Sequence, residues 1–159
     1  MMNLIDDALL DAVSAEALAS PRRRKNRNFH DSDDHPAHRL LNAMEPDSYI
    51  APHRHADPLK AETMIVLRGR LGLIEFDAGG HVLRIVVLGE NCDAKGVDIL
   101  HDTWHTVVAL EPGTVFIEAK AGPYRPHRME ERAAWAPLEG DAGAPAYLQE
   151  LAALFAAKR

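Results

Sequence analysis

Between residues 39 and 120 the chain is a succession of short β-branched and aliphatic runs separated by turn formers, and few folds accept that texture. The runs read "RLLNAM", "SYIAPHRH", "TMIVLRGRLGLIEFD", "HVLRIVVL", "KGVDIL", "TWHTVVAL" and "TVFIEAK". Asp77-Ala78-Gly79-Gly80 reads as a hairpin turn and Glu111-Pro112-Gly113 as another. Short strands at this spacing predict an all-β sandwich or barrel. The two ends differ from this middle. Residues 3–19 carry apolar side chains at helical spacing (Leu4, Ile5, Ala8, Leu9, Ala12, Val13), with Asn3 as a cap and Ser20-Pro21 as the stop. "APAYLQELAALFAAK" is helical again and is expected to lie on the outside of the barrel.

The length, 159 residues, suits one domain with a sizeable core. The expected division is an N-terminal helix and basic arm over 1–30, a barrel over 31–125 and a C-terminal segment with a helix over 126–159. A net charge of -6 gives no global attraction to nucleic acid or to an anionic membrane. The single cysteine, Cys92, excludes an internal disulfide framework. With no signal-like N-terminus and no apolar stretch of membrane-spanning length, a cytoplasmic protein is expected.

Within the β-rich middle, four residues carry chemistry. His53 and His55 sit two apart, Glu62 opens the run "TMIVLRG", and His105 lies inside "TWHTVVAL". Side chains two apart on a strand share a face, roughly 7 Å apart at the backbone, so both imidazoles can converge on one cation. Three imidazoles and a carboxylate form a mixed N/O set that suits Fe, Mn, Ni, Co, Cu or Zn rather than Ca or Mg. A small β-barrel holding one divalent transition metal is the expectation.

The pattern H-R-H, then Glu62, then six residues and Gly69 resembles the first motif of cupins, and His105 stands where their second motif has its histidine. "SPRRRKNRNFH", "PHRHADPLKAETMIVLRG", "WHTVV", "KAGPY" and "WAPLEG" resemble the WbuC family of cupin-fold metalloproteins over roughly residues 1–140. The resemblance implies an all-β cupin (RmlC-like) jelly-roll β-barrel with flanking N- and C-terminal α-helices, and His53, His55, Glu62 and His105 as metal ligands. Members of that family occur among bacterial surface-polysaccharide (O-antigen) biosynthesis genes. The implied ligand is a small molecule, a sugar or nucleotide sugar, and the implied assembly a homodimer, since cupin barrels commonly pair sheet edges.

Departures from the cupin pattern fall on turns. Six residues separate His55 from Glu62 where three or four are usual, which leaves Glu62 either a ligand or an acceptor that orients a histidine. Asp47 replaces the glycine expected six before His53. In the second motif Leu100 and Asp102 replace a proline and a glycine, and Ala109 replaces the terminal asparagine.

Around the centre, Lys60 is a candidate proton-transfer group or positive charge near the mouth, or an exposed loop lysine. Tyr49, of the same strand parity as His53, either faces inward or packs in the core. Trp104, of opposite parity to His105, is expected to pack outward. His101 and Asp102 form a rim pair or a solvated turn. His30, His35, His38, His81 and His127 lack ligand spacing. Arg22, Arg23 and Arg24 are candidate substrate-binding residues, since guanidinium groups bind phosphate and carboxylate bidentately; the alternative is salt bridging to the neighbouring acidic helix. Three functions are open: a metal-dependent sugar isomerase or epimerase, an Fe(II) dioxygenase, and a non-catalytic metal-dependent ligand-binding module.

Overall fold

The structure, a computed structural model, describes residues 2–158. Among the described residues the elements run α1 (Asp7–Ala19), β1 (Arg24–Asn28), β2 (Ala37–Met44), β3 (Glu62–Arg68), β4 (Arg70–Phe76), β5 (Val82–Gly89), β6 (Gly96–Ile99), β7 (Trp104–Ala109), β8 (Thr114–Ala121) and α2 (Ala144–Ala153). The strands form two sheets, one of five strands in the order β1-β2-β8-β3-β6 and one of three in the order β5-β4-β7. Every ladder within them is antiparallel. The expected jelly roll with a helix at each end is what this chain forms.

Strand alternation sorts the side chains into three layers. Met44, Met64, Leu71, Leu73, Leu88 and Phe116 fill the space between the sheets. Leu41, Ala43 and Val115 turn the other way and meet Leu10, Val13 and Ala17 of α1, which are spaced along one helical stripe. On the outer face of the three-stranded sheet, Ile74, Phe76, Val87 and Val108 receive Leu148 and Leu151 of α2 and the following Phe155. A Cβ on Gly72 would stand 2.6 Å from the Phe155 ring, so β4 carries a glycine where that ring closes on the backbone.

Four expectations need correction. Helix α1 starts later than the periodicity implies, because Asp6 and not Asn3 caps it, its carboxylate accepting from the Leu9 amide at 3.0 Å. "SYIAPHRH" does not form a strand; only His53 makes isolated bridges, to His105 and Arg132. The basic arm is itself partly sheet, since Arg24–Asn28 pairs with β2 as an edge strand. Pairing overrides the weak strand propensity of "RKNRN". The turn at Glu111–Gly113 joins β7 of one sheet to β8 of the other, so it is a crossing and not a hairpin. Gly69, at φ +74°, makes the matching crossing from β3 to β4. Asp77–Gly80 does close a hairpin, with the Asp77 amide donating to the His81 carbonyl at 2.9 Å. Among the described residues no helix is long and apolar enough to cross a membrane.

Candidate metal centre

The cavity between the sheets has a volume of about 550 Å³, with His53, Glu62 and His105 in its wall. Each comes from a different piece of backbone. His105 lies on β7, and His53 pairs with it across two backbone hydrogen bonds of 3.0 and 2.9 Å. Glu62 opens β3 in the opposite sheet. His55 is set by its carbonyl, which accepts from the Asp102 amide at 2.7 Å. That amide belongs to a residue at φ +62°, so Asp102 keeps the left-handed turn for which glycine is the usual choice.

The structure brings His53, His55, Glu62 and His105 together: one nitrogen or oxygen from each lies within 4.8 Å of all the others. The long loop after His55 does not remove Glu62 from the group. Asp57 closes the loop on itself, its carboxylate accepting from the Leu59 amide at 2.9 Å and its carbonyl from the Lys60 amide at 2.9 Å. Glu62 Oε1 then lies 2.7 Å from His105 Nε2, and Oε2 3.6 Å from His55 Nε2.

These residues fit a divalent transition metal. Nδ1 of His53 lies 3.0 Å from the Ala51 carbonyl and Nδ1 of His105 2.8 Å from the Thr103 carbonyl. A carbonyl only accepts, so Nδ1 carries the proton and Nε2 of the neutral ring keeps its lone pair for the centre. His55 Nε2, Glu62 Oε1 and His105 Nε2 are buried without a hydrogen bond of acceptable geometry. Each unmet buried polar atom costs about 1–3 kcal/mol, and coordination of one cation would satisfy all three. Burial presses against the Glu62 charge, but His105, His55 and Lys120 outweigh it and hold the carboxyl well below its ordinary range. Burial, then His105 and His127, keeps His53 well below its usual value and therefore neutral. Burial also opposes charge on His105, yet Glu62 raises it.

Several wall residues were not singled out in the sequence. Lys120 and Glu118 of β8 face inward, 2.5 Å apart, with Lys120 also 3.6 Å from Glu62 Oε2. Asn42 donates to Glu118 Oε2 at 2.8 Å. Their signal was strand parity with the inward Phe116. His127 stacks on His53 with ring centroids 4.4 Å apart and meets His55 edge-on at 5.2 Å. Desolvation and the nearby His55 lower its pKa to about 4. No local spacing marks His127; a strap brings it there. Glu131 accepts from the Ala56 and Arg128 amides, both at 2.9 Å, and the Ala133 amide donates to the Pro52 carbonyl at 3.1 Å.

Other candidates lie elsewhere. Lys60 donates to the Ala121 carbonyl at 3.1 Å and to the Pro123 carbonyl, outside the cavity wall. Tyr49 packs with Ile74, Phe76 and α2 on the outer face, its hydroxyl donating to the Pro137 carbonyl at 2.7 Å. Parity with His53 fails because residues 48–52 are not a strand. Trp104 does pack outward, under the Arg54 guanidinium at 4.8 Å. Asp102 pairs with Arg54 at 3.5 Å. Arg22 and Arg24 line the cavity mouth and hold Glu139, while Arg23 turns away to Asp47 at 2.9 Å.

The topology is that of a cupin jelly roll. A conserved protein of unknown function from Streptococcus pyogenes is similar at a TM-score of 0.51 and 9% identity, over 79% of this chain and 91% of that one; at that identity the likeness shows the fold alone. KdgF from Halomonas sp. is similar at 0.48 and 20% identity, over 67% and 83% of the two chains. A cupin superfamily protein from Desulfitobacterium hafniense is similar at 0.47 and 8%, over 62% and 76%. No curated protein matches the chain. Residues 5–88, which carry His53, His55 and Glu62, match the family described as a domain of unknown function, DUF6016, and with more than half of its length in that match the chain belongs to this family.

Proposed function

We propose that this protein is a metal-dependent cupin enzyme of the WbuC type, acting on a sugar or nucleotide sugar in bacterial surface-polysaccharide biosynthesis. His53, His55, Glu62 and His105 are the ligands in this reading, and a bound divalent metal would supply Lewis-acid chemistry at the cavity floor. The observation that carries it is the set of buried, unbonded Nε2 and Oε1 atoms facing one another in a cavity of about 550 Å³. That volume is within the range of small-molecule sites, about 300–1,000 Å³.

The protein side chains divide the remaining work. Lys120 and Asn42 present hydrogen-bond donors beside the centre, and Arg24 and Arg22 present positive charge at the mouth. Such a wall orients a polyhydroxylated anion and screens the floor from bulk water. Copies of the chain pair through a sheet edge in this reading; Val82 and Leu83 of the β5 edge are apolar and exposed.

Elemental analysis of protein purified without an affinity tag tests the centre, and a thermal-shift series with nucleotide sugars tests the ligand. Bound metal with a shift for at least one nucleotide sugar is expected. Metal-loaded protein that responds to none of them loses the sugar assignment, and oxygen consumption by an iron-loaded sample replaces it with oxidative chemistry.

A further inference from the structure

We propose that Arg22 and Arg24 form an oxyanion subsite at the cavity mouth, that Glu139 is its internal occupant, and that a phosphate or carboxylate group of the ligand displaces Glu139 on binding. This rests on the reading of the cavity as a ligand site and adds to it a charge requirement and a competing side chain. Arg22, Arg24 and Glu139 stand in the wall of the cavity that holds His53, Glu62 and His105.

The geometry is that of a bound anion. Arg22 grips the Glu139 carboxylate with both faces of its fork, Nε to Oε1 at 2.7 Å and Nη2 to Oε2 at 2.6 Å. Arg24 Nη2 adds a third contact to Oε2 at 2.6 Å. Two guanidinium groups therefore share one carboxylate, and the cluster keeps an unmatched positive charge. A dianion matches the pair better than Glu139 does.

Arg24 is anchored independently of Glu139, and Glu139 lies on a surface turn. Arg24 belongs to β1, its side chain is 16% exposed, and its Nη1 donates to Tyr49 O at 3.0 Å and Ser48 Oγ at 3.2 Å. Glu139 sits on an exposed turn between Leu138, 44% exposed, and Gly140, whose φ is +91° and beside which a Cβ would meet nothing within 4 Å. That turn is held by a bond within itself, from the Leu138 amide to Asp141 at 2.8 Å. Releasing Glu139 would open no packed core. The two guanidinium groups depress its pKa to about 2, so the carboxylate stays charged and competes wherever the protein works.

Isothermal titration of the full chain with pyrophosphate and with malonate, at fixed ionic strength, tests the proposal. Glu139→Gln should tighten binding of at least one probe roughly tenfold, and Arg22→Gln should weaken it by a similar factor. The Arg22 side chain is 62% exposed, so that variant retains the fold. Tightening confined to pyrophosphate names a phosphoryl group, and tightening confined to malonate a carboxylate. Unchanged affinity for both probes in Glu139→Gln overturns the subsite, as does tightening that survives in the Glu139→Gln/Arg22→Gln double variant. Metal content of the same samples is read separately. A metal-loaded protein without the Glu139 effect sinks the subsite alone, and a metal-free protein with it sinks only the metal assignment.

Discussion

His105 Nε2 and Glu62 Oε1 stand 2.7 Å apart across the two sheets and make no hydrogen bond of acceptable geometry. Two acceptors at that separation repel unless a proton or a cation lies with them. Replacing either residue removes a donor atom and leaves the others facing a gap. His105→Ala and Glu62→Gln should each lower metal content or affinity at least about tenfold, since even partners behind the ligands are worth that much. Elemental analysis after dialysis against a dilute chelator is the check, and undiminished metal in both variants would place the ion elsewhere.

Lys120 lies 2.5 Å from Glu118 and 3.6 Å from Glu62. Lys120→Met should destabilise the fold by roughly 3 kcal/mol, because it strands a buried carboxylate pair. Lys120→Met/Glu118→Leu should regain most of that loss, a coupling that urea titrations resolve. Additive losses would mean that the two side chains do not depend on one another.

Gly72 leaves no room for a methyl group beneath the Phe155 ring, since a Cβ there would stand 2.6 Å from it. Gly72→Ala should cost about 1–3 kcal/mol by overpacking, and Phe155→Ala about 3–5 kcal/mol by the cavity it leaves. In the double variant the added methyl group meets open space, so its effect shrinks. Thermal melts of the three proteins show whether the ring is seated on β4 in solution.

Acid should act through Glu139. Its folded pKa, about 2, lies below its ordinary 4.5. A depressed carboxyl contributes stability that is fully present above the unfolded value and is lost as pH falls through the folded one. Melting temperature should therefore fall between about pH 4.5 and pH 2 more steeply in the parent than in Glu139→Gln. The carboxylate is 37% exposed, so salt should shrink the difference. Parallel curves would remove Glu139 from the acid response.

Light scattering should return twice the chain mass of 17.5 kDa if copies pair through an edge strand. A Leu83→Lys variant should then shift the mass toward a single chain.

The strands β2, β3, β4, β5, β7 and β8 were legible in the sequence, because each overlaps one of the short β-branched and aliphatic runs between turn formers. So was the outward packing of Trp104, because β7 is a regular strand and parity holds along it. Tyr49 shows the converse. It precedes His53 in a stretch with no ladder of its own, where parity has no meaning. The segment Arg24–Asn28 was unreadable as a strand because it is polar throughout and is ordered by its neighbour. His127 and Glu139 reach the cavity through turns and a strap whose course depends on Glu131 and on long-range backbone bonds. Windows of a few residues carry no trace of such contacts.

The four converging side chains straddle the seam of the jelly roll, with His53 and His105 on one sheet and Glu62 on the other. Filling that position would rivet the halves of the sandwich at a single spot. Amide exchange near the start of β3 and along β7 should then slow in step, although those strands share no ladder. Occupancy could thus be read from the backbone, far from any reaction.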